Sequence, residues 1–288
     1  MRFQSYHPAL TLLFFAAAVF CALTWTHPAL IAVSLVGASS YAISLAKGRG
    51  FRWVIGCLVF AVLWAIWFAT YNHFGVTVLG ETPIGNAITL EAVAFGADEG
   101  LRLCAAILWL FCAVQVFTAD KVVYLLGRIS PRLSLMCAVA LRSAPMTASQ
   151  SHAIASAQSG IGHGPRQSEG LFAAARHFAG RISTLITWCI DRALIMSDSM
   201  RARGSLLPRR SAYSLYRFDL RDRGMFLALV GLIALCTMGA YFGVTAIQLN
   251  PIIVWPEPSA LFAVTCAGYL VFCLLPTALD LIDATSYR

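Results

Sequence analysis

Between Arg2 and Lys47 the chain carries no Lys, Arg, Asp or Glu. A membrane-crossing helix needs roughly 20 apolar residues, so this window is long enough for two, separated at Thr26-His27-Pro28. The apolar stretches Trp53–Tyr71, Leu103–Thr118, Gly224–Thr245 and Leu261–Ala278 add four more, so six spans are expected. The first is read as a retained span and not a cleaved signal peptide. Its apolar run is long, and no small-residue cleavage site leads into a polar start.

From about Asp120 to Arg223 the pattern changes to a basic, water-compatible block. Ser130-Pro131 reads as an N-cap followed by proline at the first helical position. A helix is expected from there to about Gln158, kinked or split at Pro145. Beyond Pro145 the side chains are mostly small: Ala148, Ser149, Ser151, Ala153, Ala155, Ser156 and Ala157. Small residues three or four apart let two helix backbones approach closely. The plainer reading is a solvated Ala/Ser helix; the number of serines favours close crossing.

Gly160 to Pro165, with glycine also at 162 and 164, breaks that helix. In a second long helix, Leu171, Phe178, Ile182, Leu185, Cys189 and Met196 form one apolar stripe. Such a helix lies on another helix or on a membrane surface. It ends at Met200-Arg201-Ala202-Arg203-Gly204, with Gly204 suited to the left-handed position after a helix. Basic residues there also complement the helix dipole, a benefit of about 0.3–1 kcal/mol.

Composition supports the membrane reading. Charged residues make up 12% of the 288 residues, against roughly a quarter in soluble domains, and the mean hydropathy is +0.74. The fold class expected is an all-α integral membrane protein. Charge orients it. The expected outer loops Trp25–Pro28, Asn72–Arg102 and Leu249–Ser259 hold Glu81, Glu91, Asp98, Glu99 and Glu257 against a single basic residue, Arg102. The remaining Lys and Arg fall at the opposite face, Lys47, Arg49 and Arg52 in the short second loop. Basic residues stay on the cytoplasmic side, which puts both termini and the central block there. Anionic membrane lipid accounts for part of that basic character, but not for about a hundred residues of it.

Several chemistries find no support. Seven of the nine cysteines fall inside expected spans and no Cys-x-x-Cys occurs, so zinc and redox motifs are absent. His152, His163 and His177 share the central block but lack ligand spacing. No metal and no cofactor is expected. The only lysines are Lys47 and Lys121, and no phosphate-binding loop occurs, so ATP hydrolysis would belong to a partner. The expected spans lack a charged residue that would mark an ion path. The aromatics of the basic block, Trp188, Tyr213 and Tyr216, are too scattered for stacking on nucleic acid.

The chain resembles the transmembrane T component of energy-coupling factor (ECF) transporters, the CbiQ family. The resemblance rests on Tyr6-His7-Pro8-Ala9-Leu10, on Leu90-Glu91 through Gly100-Leu101-Arg102, on Leu125 to Pro145 with Leu141-Arg142-Ser143-Ala144-Pro145, and on Arg201-Ala202-Arg203-Gly204. It covers nearly the whole chain. It implies a non-catalytic membrane subunit of an ABC importer for a vitamin or a transition-metal ion, in the bacterial cytoplasmic membrane. Residues 1–118 would form four spans, 119–223 the cytoplasmic coupling helices and 224–288 two more spans. The implied partners are two ABC ATPase subunits and a substrate-binding S component; the substrate itself is not legible.

In that family two Ala-Arg-Gly motifs end the coupling helices and dock on the ATPases. By resemblance Ala202, Arg203 and Gly204, with Arg201 beside them, form the second motif. The first departs from the pattern: Gly160-Ile161-Gly162 keeps the final glycine, but Ile161 stands where arginine is expected. Either the two ATPase contacts are unequal or the chain belongs to a divergent branch. Arg142 and Pro145 are expected to support the coupling helices. The competing readings are a membrane anchor that recruits an anionic partner, and an integral membrane enzyme acting on lipid. The latter would need clustered acid, base or nucleophilic groups near an interface, and Glu91, Asp98 and Glu99 have only His73 nearby.

Overall fold

The structure, a computed structural model, describes residues 3–72, 74–81, 87–162, 171–204, 216, 218–247 and 259–286. The expected helix break at His163–Pro165, the outer loop from Leu249 to Pro258, and His73 and Tyr213 lie outside the described residues. The chain divides into two compact units, Met1–Thr118 with Tyr216–Arg288, and Ala119–Leu215.

The first unit contains α1 (Pro8–Thr24), α2 (Pro28–Ala46), α3 (Gly48–Tyr71), α4 (Leu90–Val116), α8 (Leu220–Tyr241) and α9 (Ala260–Ser286), plus a hairpin of β1 (Val78–Glu81) and β2 (Ala87–Thr89). Five of these helices, α2, α3, α4, α8 and α9, are long and apolar enough to cross a membrane. Among the described residues the chain is therefore all-α apart from the hairpin, with the helices of a multi-pass membrane protein. The expected first span, α1, is apolar but only 17 residues long.

The two segments reading His-Pro-Ala-Leu, His7–Leu10 and His27–Leu30, start α1 and α2 in the same way. Each histidine is the N-cap, and its Nδ1 accepts from the backbone N–H of Ala9 at 3.2 Å or of Ala29 at 3.3 Å. Each proline fills the first turn, where its missing N–H costs nothing.

The helices alternate in direction. On α3 and α4, Trp53 meets Phe111 with ring centroids 5.1 Å apart, and Phe68 meets Phe95 at 5.1 Å. These helices pack through small residues: a Cβ at Gly96 would lie 2.9 Å from the Phe68 Cβ, and one at Gly100 would lie 3.0 Å from the Ala61 carbonyl oxygen. With Ala61, Ala65 and Ala69 opposite, this is a small-xxx-small seam, the packing that brings helices together where lipid removes the hydrophobic drive. Gly37 lets α2 approach α9 similarly. The buried aromatics Phe3, Phe14, Trp109 and Phe272 fill the centre, and the Trp109 Nε1–H donates to Ser34 Oγ at 3.0 Å. That bond satisfies a donor that would be costly to leave unpaired.

Two expectations change here. The stretch Asn72–Arg102 is not one outer loop. It holds the hairpin and the first half of α4, because Thr89 caps the helix and α4 starts at Leu90, thirteen residues before Leu103. Charged residues consequently lie inside a candidate span. Glu91 is buried and accepts from Thr77 N–H at 3.2 Å and Thr77 Oγ1 at 2.7 Å. Asp98 pairs with Arg102 one turn on at 3.1 Å, and Arg102 also donates to the Leu23 carbonyl at 3.3 Å. Local pairing is what lets these charges enter the helix.

α2 and α3 are joined by one residue. Lys47 caps both helices at φ 45, and Gly50 rests against the backbone carbonyl of Ala42. Lys47, Arg49 and Arg52 lie at the same end of the unit as Asp219, Arg221 and Phe3. There Arg221 sits over the Tyr6 ring at 4.4 Å, and the Phe3 N–H donates to Asp280 at 2.7 Å. Thr26, Thr245 and Ile247 are tied together at the other end.

Candidate functional site

The second unit carries the candidate site. It comprises α5 (Ala119–Ile129), α6 (Pro131–Gly160) and α7 (Leu171–Ala202). Helix α5 precedes the helix expected from Ser130. It forms a tight hairpin with α6 around Ser130, which occupies the N-cap position of α6 without a side-chain capping bond, with Pro131 in the first turn. Ser134 Oγ donates back to the Val123 carbonyl at 2.9 Å. Lys121 on α5 is 3% exposed, and burial pushes its pKa down to about 8.

Helix α6 runs unbroken through Pro145, so the expected split does not occur. The proline removes one rung, the bond to the Leu141 carbonyl, and the helix continues on either side. Pro145 and Arg142 are both exposed. Among the described residues Arg142 has no carboxylate partner. The serines beyond Pro145 satisfy their hydroxyls locally, Ser149 Oγ to the Met146 carbonyl at 2.8 Å and Ser151 Oγ to the Ala148 carbonyl at 2.7 Å. Ala148, Ser149, Ala153, Ser156 and Ala157 remain exposed. α6 packs against α7, with Arg192 Nη2 3.5 Å from Met146 Sδ.

Helix α7 has less of its apolar surface covered than the stripe implied. Leu185, Cys189 and Met196 are half-buried, but Phe178 and Ile182 are exposed. Counting at intervals of four reveals a second ridge: Phe178, Ile182, Ile186, Ile190 and Leu194 are each between 40% and 61% exposed. Residues four apart form one continuous ridge on a helix surface.

The two long helices end alike. α6 finishes at Gly160, Ile161 is its C-cap, and Gly162 follows at φ +79 with its N–H on the Ser159 carbonyl at 3.1 Å. α7 finishes at Ala202, Arg203 follows, and Gly204 has φ +75 with its N–H on the Arg201 carbonyl at 2.9 Å. Both are the glycine C-cap that satisfies orphan carbonyls by turning left-handed. Both hold out the intervening side chain: Ile161 is 73% exposed and Arg203 is exposed as well. A Cβ at Gly160 or Gly162 would meet nothing, so the α6 tip is open on its glycine sides. Arg201 and Ala202 are exposed on the last turn of α7.

Chemically, the two exposed tips differ. One presents a guanidinium that can pair bidentately with a carboxylate, the other an aliphatic side chain that can fill an apolar socket. Among the described residues no group of three or more His, Cys, Asp or Glu is arranged to hold a metal ion. No family model matches the chain, and no curated protein matches it.

Proposed function

We propose that the chain is the membrane-embedded T component of an ECF-type importer in a bacterial cytoplasmic membrane. The observation that carries this reading is the shared ending of α6 and α7, with Ile161 and Arg203 held out by Gly162 and Gly204. It agrees with the motif resemblance, which puts both sequences at coupling-helix ends. The basic end of the first unit, with Lys47, Arg49, Arg52 and Arg221, is assigned to the cytoplasm by the positive-inside tendency, and both termini go with it. The layout proposed is six spans, α1 included, with the second unit between the fourth and fifth.

In this reading ATP binding closes a pair of partner ATPases. Arg203 sits in a groove of one through a carboxylate pair, and Ile161 sits in an apolar site of the other. Closure moves both tips, and α6 and α7, being continuous helices, carry the displacement to a substrate-binding S component. The open ridge from Phe178 to Leu194 supplies apolar surface for that protein contact. It also weighs against a simple anchor for an anionic partner, which would have no use for such a ridge. Co-expression of the tagged chain with paired ATPase subunits and an S component tests the reading. Recovery of all components together supports it, and recovery of the chain alone contradicts it.

A further inference from the structure

A groove of about 630 Å3 runs along the outer face of α3. That volume falls within the roughly 300–1,000 Å3 range of sites that hold small ligands. Arg49, Arg52, Trp53, Gly56 and Phe60 line it from α3, and Ile107 lines it from α4. The α3 residues recur at three and four, so they share one helix face. From Arg49 to Phe60 that face extends about 16 Å at 1.5 Å per residue, close to half of a hydrocarbon core about 30 Å thick.

Polarity along the groove is graded. Both guanidiniums lie in the opening turns of α3, beside the Lys47 turn, and both are exposed. Neither has a carboxylate partner among the described residues. Every other lining side chain is apolar. The Trp53 ring stacks on Phe111 at 5.1 Å and 30°, which gives the groove a fixed wall below the arginines. At Gly56 there is no side chain, and a Cβ there would meet nothing within 4 Å. The depth of the groove at this level comes from that missing side chain.

Snorkelling alone explains why arginines sit near a membrane interface. It does not explain an open channel continuing from them down an apolar helix face. A ligand that fits both parts needs an anionic head that two guanidiniums can bind through paired N–H donors, and a hydrocarbon tail about one leaflet long. Free phosphate would leave the apolar wall unused.

We propose that this groove binds one anionic phospholipid, its phosphate held between Arg49 and Arg52 and an acyl chain lying along Trp53, Gly56 and Phe60. The proposal does not rest on the transporter reading; it requires only that α3 faces lipid. A zwitterionic phospholipid is the disfavoured competitor, because its ammonium is brought toward the same two cations.

The test uses the full chain in nanodiscs of equimolar phosphatidylglycerol and phosphatidylcholine, with native mass spectrometry reading the lipid retained after release. The wild type retains one phosphatidylglycerol in preference. The double variant R49A/R52A lowers that retention about thirtyfold, roughly fivefold per cation, with an unchanged melting temperature. R49K/R52K, which keeps charge without the fork, falls between. Gly56→Leu fills the groove and loses the lipid with both arginines present. Equal retention of the two lipids, wild-type retention by R49A/R52A or by Gly56→Leu, displacement of the lipid by inorganic phosphate alone, or a membrane polypeptide found in place of lipid would each overturn the proposal.

Discussion

Ile161 and Arg203 occupy the same place in the same helix ending. Each lies between the last helical residue and a left-handed glycine, and each side chain is exposed. The backbone treats the two tips as equals while the side chains differ in charge. Substituting the glycines should therefore damage both ends alike. A left-handed residue with a Cβ costs about 1–2 kcal/mol. Gly162→Ala and Gly204→Ala are each expected to fray the last turn, seen as faster amide exchange over Ala157–Ile161 and Ser199–Arg203. Unchanged exchange in either variant would mean that its cap does not hold the helix end.

Close helix packing depends on position. At Gly37 an added Cβ would fall 2.5 Å from the Cys273 Cβ, whereas at Gly231 it would meet nothing. Overpacking costs about 1–3 kcal/mol, and glycine to alanine in an open helix position gains up to about 1 kcal/mol. Thermal unfolding in detergent should show a lower midpoint for Gly37→Ala and an equal or higher one for Gly231→Ala. Equal drops in both would show that α2 and α9 do not touch at Gly37.

The Asp98–Arg102 pair is almost buried, its side chains 6% and 16% exposed. Removing one partner of such a pair leaves an uncompensated charge and costs about 3–5 kcal/mol. Asp98→Ala and Arg102→Ala should each lower the unfolding midpoint well below wild type. The double variant should recover part of the loss. A double variant as poor as the sum of the singles would mean that the two charges do not compensate each other.

Lys121 sets a dependence on pH. Its ordinary pKa of 10.5 is lowered to about 8 in the folded chain by burial. At a pH between these values the unfolded chain binds more protons than the folded one, so stability rises with pH across that window. Below about 8 both states are protonated and the charge penalty is fully present. The difference in unfolding midpoint between wild type and Lys121→Met should change as pH is raised from 8 toward 10.5, in favour of the wild type. A difference independent of pH would show that Lys121 titrates normally.

Much of the fold is legible in the sequence, and the exceptions have physical causes. The α1–α2 break at Thr26–Pro28 follows from proline and from the N-capping histidine. The end of α7 follows from Gly204. The start of α4 does not follow, because Glu91, Asp98 and Arg102 read as loop residues until their partners are known. Thr77, the partner of Glu91, is fourteen residues away, a pairing that no local pattern reveals. Helix α6 passes through Pro145 because one lost rung is a small part of thirty residues. At the candidate site, glycine punctuation marks both tips. Their identity of form appears only in the backbone angles, and the second ridge of α7 only when exposure is known. The repeated His-Pro-Ala-Leu marks the two helix starts as equivalent.

The most direct measurement is co-purification of the full chain with a co-expressed pair of ABC ATPase subunits, wild type against Arg203→Glu and Ile161→Arg. The wild type should bring down both ATPase subunits. Arg203→Glu should lose them while inserting normally in the membrane, because a carboxylate replaces the guanidinium at an exposed tip. Ile161→Arg should weaken the recovery, because a guanidinium is costly to bury in the apolar site proposed for that tip. A wild-type chain that purifies without ATPase, or an Arg203→Glu chain that binds both subunits as well as wild type, would contradict the account.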